Sequence, residues 1–257
     1  MTRPFPITLV LTLALLAAPV HAAAPPDDIE ITSCGQVIPK KTLGYLTADL
    51  DCSGYTGVPA NVDPSDAGAA VYVEKKGRLD LRGFTITGGI NGVLCDTLRC
   101  GPSRRYCSHG PCEIFNGTLV GPGPSATVTR GISGFRPIVH DLTIRDFFFG
   151  VMSFDKTQLT DVAIADSIDV GVAGKGLTLT TTTVTSSGQF GILGWTDRGK
   201  APRLLSSSVT GNGTASYCGD YPCADIASMR RPVLQTSSCG TSYDMRAEVA
   251  WGVCTAD

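Results

Sequence analysis

Residues 131 to 209 repeat two short phrases in alternation. The first phrase is a glycine followed by Ile or Val, and it recurs at intervals of 19, 21 and 20 residues in Gly131-Ile132, Gly150-Val151, Gly171-Val172 and Gly191-Ile192. The second phrase ends in Ile or Val, and it appears in Leu142-Thr143-Ile144, Val162-Ala163-Ile164, Thr182-Thr183-Val184 and Ser207-Ser208-Val209. One repeat is therefore predicted to hold two short strands joined by turns.

A unit of about 20 residues is too short to bury its own apolar face, so it must stack on its neighbours as a solenoid. Because the phrases are typical of short strands and the interval shows no helical periodicity, the predicted fold is all-β. Gly92-Val93 and Gly252-Val253 repeat the first phrase on either side, which extends the array to roughly seven coils. At about 4.8 Å per coil, the rod is about 30 to 35 Å long.

The N-terminus has the features of an export signal, with Arg3, an apolar run from residue 7 to 18 and small residues before position 23. We therefore expect residues 1–22 to be a signal peptide and the mature protein to be secreted or periplasmic. Residues 23–68 are predicted to form an N-terminal segment and cap. Residues 69–257 are predicted to form the solenoid, a monomer, with insertions at 94–112 and 210–224.

The charge balance excludes some classes of partner. The chain has 21 Lys and Arg against 23 Asp and Glu, a net charge of −2, with no run of like charge. Nucleic-acid-binding proteins carry a basic excess or a basic patch, so we expect no nucleic-acid partner. No later apolar run is long enough to cross a bilayer, so we expect no membrane span.

Ten cysteines, an even number, predict up to five disulfides in an exported chain. They lie near the ends and in the insertions rather than in the regular repeats: Cys34, Cys52, Cys95, Cys100, Cys107, Cys112, Cys218, Cys223, Cys239 and Cys254. A zinc site would need paired C-x-x-C spacing, which does not occur, so no metal is predicted at these residues. The disulfides are expected in the caps and loops.

Two segments resemble the coils of the right-handed parallel β-helix family, which includes the pectate-lyase-like superfamily: residues 79–88 (LDLRGFTITG) and 116–119 (NGTL). The resemblance implies a right-handed, single-stranded parallel β-helix over about residues 69 to 254, and a polysaccharide, mostly an acidic one, as ligand. The Gly-His-Gly block of pectin hydrolases and the Asp-Pro-His-Asp block of mannuronan epimerases are absent. The resemblance therefore implies a fold and a class of ligand, but it assigns no reaction.

Stacking turns sequence offsets into columns along the rod. Four residues after the glycines stand Phe135, Phe154, Lys175 and Trp195, and cations follow at Arg136, Lys156 and Arg198. If this column faces outward, sugar rings could stack on the aromatics while the cations hold uronate carboxylates. The alternative is that the aromatics fold over a corner of the core. Phe154, Lys156, Trp195, Arg198 and Arg136 are the candidate substrate-binding residues.

Two polar columns flank the second phrase. Asn116, Asp141, Asp161, Thr181 and Ser206 precede it and are typical of a turn ladder. Asp146 and Asp166 follow it on neighbouring coils, where two carboxylates could share a Ca²⁺ ion or raise one another's pKa. With Arg145 as base or clamp, Arg145, Asp146 and Asp166 are the candidate catalytic residues of a β-elimination. The alternative is that both aspartates are ordinary turn residues.

Two functions from different classes remain open. The first is an exported protein that acts on or binds polysaccharide, such as a lyase or hydrolase of acidic glycans. The second is a non-catalytic glycan-binding or surface module with the solenoid as scaffold. His140, the only histidine within the regular repeats, is expected to be solvated beside a turn rather than catalytic.

Overall fold

The structure is a computed structural model, and it describes residues 28–60, 62–96, 110–124, 127–195, 200–219 and 221–255. The predicted signal peptide, most of the first predicted insertion and Arg198 lie outside these ranges. Within them, regular structure is β-strand throughout except for one 3-10 turn at Pro64–Asp66. The described residues include no helix that is long and apolar enough to cross a membrane.

The strands are short and follow one another closely along the chain. They are β1 (Ile29–Glu30), β2 (Gln36–Ile38), β3 (Leu43–Tyr45), β4 (Leu50–Cys52), β5 (Ala69–Val73), β6 (Arg78–Asp80), β7 (Thr85–Gly88), β8 (Asn91–Cys95), β9 (Cys112–Val120), β10 (Arg130–Gly134), β11 (Pro137–Arg145), β12 (Phe149–Ala165), β13 (Val170–Thr180), β14 (Thr183–Thr185), β15 (Phe190–Gly194), β16 (Arg203–Leu205), β17 (Ser208–Thr210), β18 (Ala224–Ser228), β19 (Val233–Gln235), β20 (Ser238–Asp244) and β21 (Val249–Thr255).

The first repeated phrase builds one continuous series of parallel pairs, which we call the first ladder. It joins β2, β5, β8, β10, the starts of β12 and β13, β15, β18 and the end of β20. The residue after each glycine stands in register with its counterparts, which confirms the predicted column. These register partners are Val93, Ile132, Val151, Val172 and Ile192, and they are joined by Ile226, which follows Asp225 instead of a glycine.

The second repeated phrase builds another parallel series. We call it the third ladder, because the chain passes through one more ladder between the two phrases. It joins β4, β7, the ends of β9, β11 and β12, β14, β17 and the start of β20. Its inward column is Ile86, Leu119, Ile144, Ile164, Val184, Val209 and Cys239. This pairing confirms that the two phrases repeat as parallel strands.

Between them lies a second ladder that the phrases did not predict. It joins β1, β3, β6, the starts of β9 and β11, the middle of β12, the end of β13, β16 and β19. Its inward column is Leu79, Ile114, Val139, Leu159, Leu179, Leu204 and Leu234. The prediction of two strands per repeat is therefore wrong, because each repeat contributes three.

The three inward columns meet in one core. Val172, Leu179 and Val184, taken from one repeat, are each fully buried. The corresponding residues of the other repeats belong to the same cluster, except Leu234, which is partly buried and packs against it. Each such side chain contributes roughly 1.5 to 3 kcal/mol by leaving water. Since the chain passes through the ladders in the same cyclic order, one large parallel sheet surrounds this core, an arrangement compatible with a β-helix.

The first ladder also carries apolar side chains on the side away from the core. Ala173, Leu193 and Ala227 directly follow core residues, so alternation along the strand points them outward. They form a second cluster with Phe190 and Tyr243, against which residues of the Cys218–Cys223 loop pack. Near the N-terminal end a third cluster covers the same face: Val62, Ala69, Tyr72 and Leu94, with Val37 packed against them. The loops thus cover two stretches of this outer face.

The predicted repeat at Gly252-Val253 is not a further parallel rung. β21 pairs antiparallel with β20, and the Cys239–Cys254 disulfide joins the two strands. The described cysteines also form Cys34–Cys52 and Cys95–Cys112, and none of the described cysteines is free. Disulfides therefore lie at the ends and loops as predicted, while Cys100 and Cys107 lie outside the described residues.

The variant Val184→Asp tests the inward column of the third ladder. The variant Thr183→Asp, at the adjacent residue, is its control. Val184 is fully buried, whereas Thr183 is exposed on the other side of the same strand. An unpaired buried charge costs about 3 to 5 kcal/mol. We expect Val184→Asp to lower the melting temperature by about 6 to 20 °C or to prevent folding. Thr183→Asp should melt within about 2 °C of the parent. Equal melting of the two variants would contradict the assigned core.

Candidate functional site

The polar residues that precede the second phrase occupy left-handed turn positions. Asn116, Asp141, Asp161, Thr181 and Ser206 all have φ between 49° and 61°. Asn and Asp tolerate this conformation better than most residues because their short side chains can bond locally. The geometry agrees with the predicted turn ladder between the second and third ladders.

The candidate catalytic aspartates share the same backbone conformation at the next corner. Asp146 has φ of 64° and Asp166 has φ of 54°. The register of the third ladder places them one rung apart, and the Arg145 guanidinium donates to Asp146 Oδ2 at 2.6 Å. Within the part of the chain that the structure describes, no group of three His, Cys, Asp or Glu side chains could hold a metal ion. This geometry is that of turn residues, and the catalytic role of the three remains a prediction.

The corner between the first and second ladders departs from the predicted column. Lys175 stands in register with Lys156, not with Phe154, because the pairing of β12 with β13 shifts between Met152 and Lys156. The strand β12 has two extra residues before Lys156, and β13 has one extra residue, Gly176, after Lys175, so the net difference is one residue. Eight positions separate Val151 from Leu159, but only seven separate Val172 from Leu179. Phe154 and Asp155 therefore form an irregularity of the corner, and the column predicted from equal offsets is wrong at this rung.

The aromatic residues of this corner separate into two groups. Phe154 is 42% exposed, and its ring centroid lies 5.5 Å from that of Phe135. Trp195 is partly buried and packs against the second cluster on the outer face of the first ladder. An exposed ring for stacking thus exists at Phe154, whereas the environment of Trp195 favours the alternative that it packs over the fold.

Arg136 is held by a partner from the next rung. Its guanidinium forms an ion pair with the carboxylate of Asp155. Partial burial alone would raise the pKa of Asp155, but the bond from Arg136, the backbone N–H of Lys156 and both positive charges outweigh it and lower this pKa. Arg136 therefore contributes a neutralised pair beside Phe154.

The cations further along this corner converge. Lys175, Lys200 and Arg230 line one shallow depression, and no carboxylate stands among its described lining residues. Lys156 adds a fourth cation through its register with Lys175. All four side chains are exposed. We call Lys156, Lys175, Lys200 and Arg230 the cation strip. It contains the predicted Lys156, and the predicted Arg198 lies outside the described residues.

A cleft of about 160 Å³ opens on the outer face of the first ladder. Phe135 and Phe154 belong to its lining, so it adjoins the corner just described. We call it the ladder cleft. Its other lining residues come from the 3-10 turn, β8, the residue after β8, and β10: Asp66, Asn91, Leu94, Cys95, Asp96, Arg130, Ser133 and Gly134.

Polar side chains are buried in the ladder cleft. Asn91 is only 3% exposed, and its Oδ1 has no hydrogen-bond partner among the described residues. A buried oxygen left without a donor costs about 1 to 3 kcal/mol. Asp96 is 8% exposed and accepts a bond from the Gly110 N–H at 3.0 Å.

Arg130 supplies the positive charge of the cleft. Its Nε lies 3.1 Å from Met152 Sδ, a weak acceptor. Burial lowers the pKa of Arg130, and the nearby charge of Asp66 partly opposes this shift. A guanidinium nevertheless stays protonated under ordinary conditions. The cleft therefore holds a fixed, partly dehydrated cation.

Sequence reasoning missed the ladder cleft, although a signal was present. The residue before the first-phrase glycine is apolar in Phe149, Val170 and Phe190, but it is Asn91 and Arg130 in the two upstream copies. All five stand in register on the first ladder. Polar residues in a position that is otherwise apolar indicate a place where the outer face is not covered by apolar packing.

A separate ionic cluster lies on the outer face of the second ladder. His140 Nε2 lies 3.1 Å from Glu113 Oε1, and its Nδ1 lies 2.9 Å from Asp141 Oδ2. The imidazole stacks on Phe115 with centroids 4.8 Å apart, and Arg78 forms an ion pair with Glu113. His140 is thus in contact with two carboxylates and an aromatic ring, rather than simply solvated as predicted.

The predicted catalytic and binding residues do not form one site. Asp146 follows the third ladder and Phe154 follows the first, so a first-ladder strand such as Phe149–Ser153 lies between the two corners. The chain matches no protein-family model, no curated protein and no solved structure. Its function must therefore be argued from the cation strip and the ladder cleft themselves.

The His140 cluster makes stability depend on pH. Burial alone would lower the pKa of His140, but the bonds to Asp141 and Glu113 and their charges raise it above its ordinary 6.5. The contribution of the charged ring is thus present below about pH 6.5 and is lost as the pH rises through the higher folded-state pKa. We expect the parent to lose up to about 1 kcal/mol, or 2 to 4 °C of melting temperature, between pH 6 and pH 9 relative to His140→Gln.

Thermal melts of both proteins at the two pH values measure this effect. Only the difference between parent and variant is interpreted, because other groups titrate equally in both. The pKa of Glu113 is lowered, since bonds from Arg78 and His140 outweigh the effect of burial, so its own contribution is lost only under acidic conditions. An identical pH dependence in parent and variant would show that His140 is not ion-paired in solution.

Proposed function

We propose that this chain is an exported right-handed parallel β-helix that binds an acidic polysaccharide along the cation strip. The fold part of the proposal is supported by three parallel ladders visited in cyclic order around one core. It is also supported by the coil-like phrases of residues 79–88 and 116–119, both of which lie in these ladders. Disulfides at the ends and loops are typical of exported proteins.

The cation strip is the observation that carries the ligand class. Register places the backbones of Lys156 and Lys175 on adjacent rungs, about 4.8 Å apart, so their ammonium groups repel each other. Lys200 and Arg230 add positive charge around the same depression, in a chain whose net charge is −2. Anionic groups spaced along a polymer would remove this repulsion on several rungs at once.

An exposed ring adjoins the strip and favours a sugar polymer over other polyanions. Phe154 lies on β12, two residues before Lys156, and its side chain is 42% exposed. An aromatic ring offers an apolar face on which a sugar ring can pack. Carboxylates on the same polymer would meet the neighbouring ammonium groups.

Binding is supported better than cleavage. No carboxylate lines the depression among its described residues, whereas general base catalysis needs a base within hydrogen-bond reach of the proton that it removes. The predicted carboxylates Asp146 and Asp166 belong to another corner of the repeat. The described carboxylate nearest the strip, that of Asp155 beside Lys156, is already paired with Arg136. A glycan lying on the strip is therefore proposed to be held rather than cleaved.

The test is the double variant Lys156→Gln/Lys175→Gln, titrated calorimetrically with polygalacturonate and with alginate. We expect the parent to bind at least one of them and the double variant to bind about tenfold more weakly, a loss of about 1.4 kcal/mol. Raising the salt concentration should weaken binding by the parent more than by the variant, because exposed charges are screened.

Lys40→Gln is the matched control, since Lys40 is an exposed lysine near the N-terminal end of the ladders. It should bind like the parent. Equal affinity of the double variant and the parent would remove the strip from the proposal. Appearance of unsaturated products in the same mixtures, followed by absorbance, would instead favour a lyase, and loss of that rate in Asp146→Asn/Asp166→Asn would assign it to these carboxylates.

A further inference from the structure

We propose that the ladder cleft is a second binding site, one that takes a single neutral, hydroxyl-bearing sugar residue. The inference rests on the proposed function in one respect, namely that the cleft and the cation strip serve the same glycan. The ligand would then be a heteropolysaccharide that carries both charged and neutral sugars.

The unpartnered Asn91 oxygen specifies what the ligand must offer. Asn91 is only 3% exposed, and its Oδ1 accepts no hydrogen bond from any described residue. A carbonyl oxygen is satisfied only by a donor. Sugar hydroxyl groups are donors, whereas a carboxylate is not, so an ionised acid group at this point would leave the oxygen unsatisfied.

The charges of the cleft also favour a neutral ligand. Its lining contains one guanidinium, Arg130, and two carboxyl groups, Asp66 and Asp96, so the described charges sum to −1. The described lining thus carries charges of both signs, unlike the uniformly positive cation strip. It presents donors and acceptors together, with the Ser133 hydroxyl beside them, which suits the mixed hydrogen-bonding character of a polyol.

The dimensions limit the ligand to one ring. About 160 Å³ is less than the roughly 300 to 1,000 Å³ of pockets that take drug-sized molecules. The third cluster, which includes Tyr72 and Leu94, adjoins the cleft on the N-terminal side. The second cluster, beginning at Val170, lies on the C-terminal side of the same face. A long chain cannot continue straight along the covered face, so the cleft suits a branch or a chain end.

Phe154 connects the two sites. It lines the cleft, and two positions further along the chain Lys156 joins the cation strip. A neutral sugar in the cleft could therefore be attached to an anionic backbone on the strip through one or two glycosidic links. The two sites would contribute independently to affinity, because their residues do not overlap apart from their common border at Phe154.

The experiment is a titration with single sugars, followed by ligand-observed NMR. The neutral probes are glucose, galactose, mannose, xylose and rhamnose, and the charged probes are galacturonate and glucuronate. We expect saturable millimolar binding of at least one neutral sugar by the parent. The Asn91→Leu variant should lose this binding at least tenfold while melting no earlier than the parent, because it removes an unsatisfied polar atom.

Two further variants keep the test decisive. Ser133→Ala removes a hydroxyl group that lines the cleft and should weaken neutral-sugar binding at least threefold. This variant serves as the test if Asn91→Leu fails to fold. Gln158→Leu is the control, since Gln158 is an exposed amide on the second ladder and should bind the sugar like the parent. Binding of the uronates alone, binding of no neutral sugar, or unchanged affinity in the cleft variants would each overturn the inference.

The outcomes separate this inference from the proposed function. The double variant Lys156→Gln/Lys175→Gln should keep its affinity for the neutral monosaccharide, since neither lysine lines the cleft. If the parent binds acidic polymers but no neutral sugar, the cleft proposal falls and the strip proposal stands. If the parent binds a neutral sugar through Asn91 but no acidic polymer, the cleft proposal stands as a site of its own.

Discussion

The close approach between the start and the end of each repeat is the constraint on which the other features depend. A Cβ added to Gly131 would lie 2.6 Å from Ile144 Cγ2, and one added to Gly150 would lie 2.7 Å from Ile164 Cγ2. Such contacts leave no room for a side chain, so the first phrase must begin with glycine. The glycine and its apolar partner come from the first and third ladders of one repeat, and their contact fixes how each repeat closes on itself.

This contact also explains which parts of the fold could be predicted from the sequence. The two phrases recur together because the glycine of the first phrase leaves space for the Ile or Val of the second. The first and third ladders were therefore visible as paired periodicities. The second ladder was missed although its spacing is as regular as that of the third. Its Val139, Leu159, Leu179 and Leu204 stand five residues before Ile144, Ile164, Val184 and Val209, respectively. Its core residues have no recurring companion such as the glycine of the first phrase, so each one looked like an isolated apolar residue.

Variation in corner length determines which site predictions failed. The aromatic column assumed that equal offsets from the glycine give equal positions, but two extra residues before Lys156 move Phe154 out of register with Lys175. The polar turn positions were predictable because the backbone there is left-handed, a conformation that selects short polar residues locally. The ladder cleft depends on Asn91 and Arg130 replacing the apolar residues of later repeats, a difference whose meaning appears only when the outer face and its covering loops are known.

The two proposed sites would contribute differently to recognition. The cation strip is exposed, so at physiological ionic strength its attraction is screened beyond roughly 8 Å, and its main effects would be on association rate and orientation. The ladder cleft is partly dehydrated, and a hydroxyl bonded to Asn91 there would be harder to replace with solvent. A glycan that satisfied both would be attracted by its charges and selected by its neutral sugar. A polyuronate without such a sugar would engage the strip alone and leave a buried oxygen unsatisfied. The fold can hold this arrangement because the outer face of the first ladder is covered at both ends and polar in between, while the core columns continue beneath it without interruption.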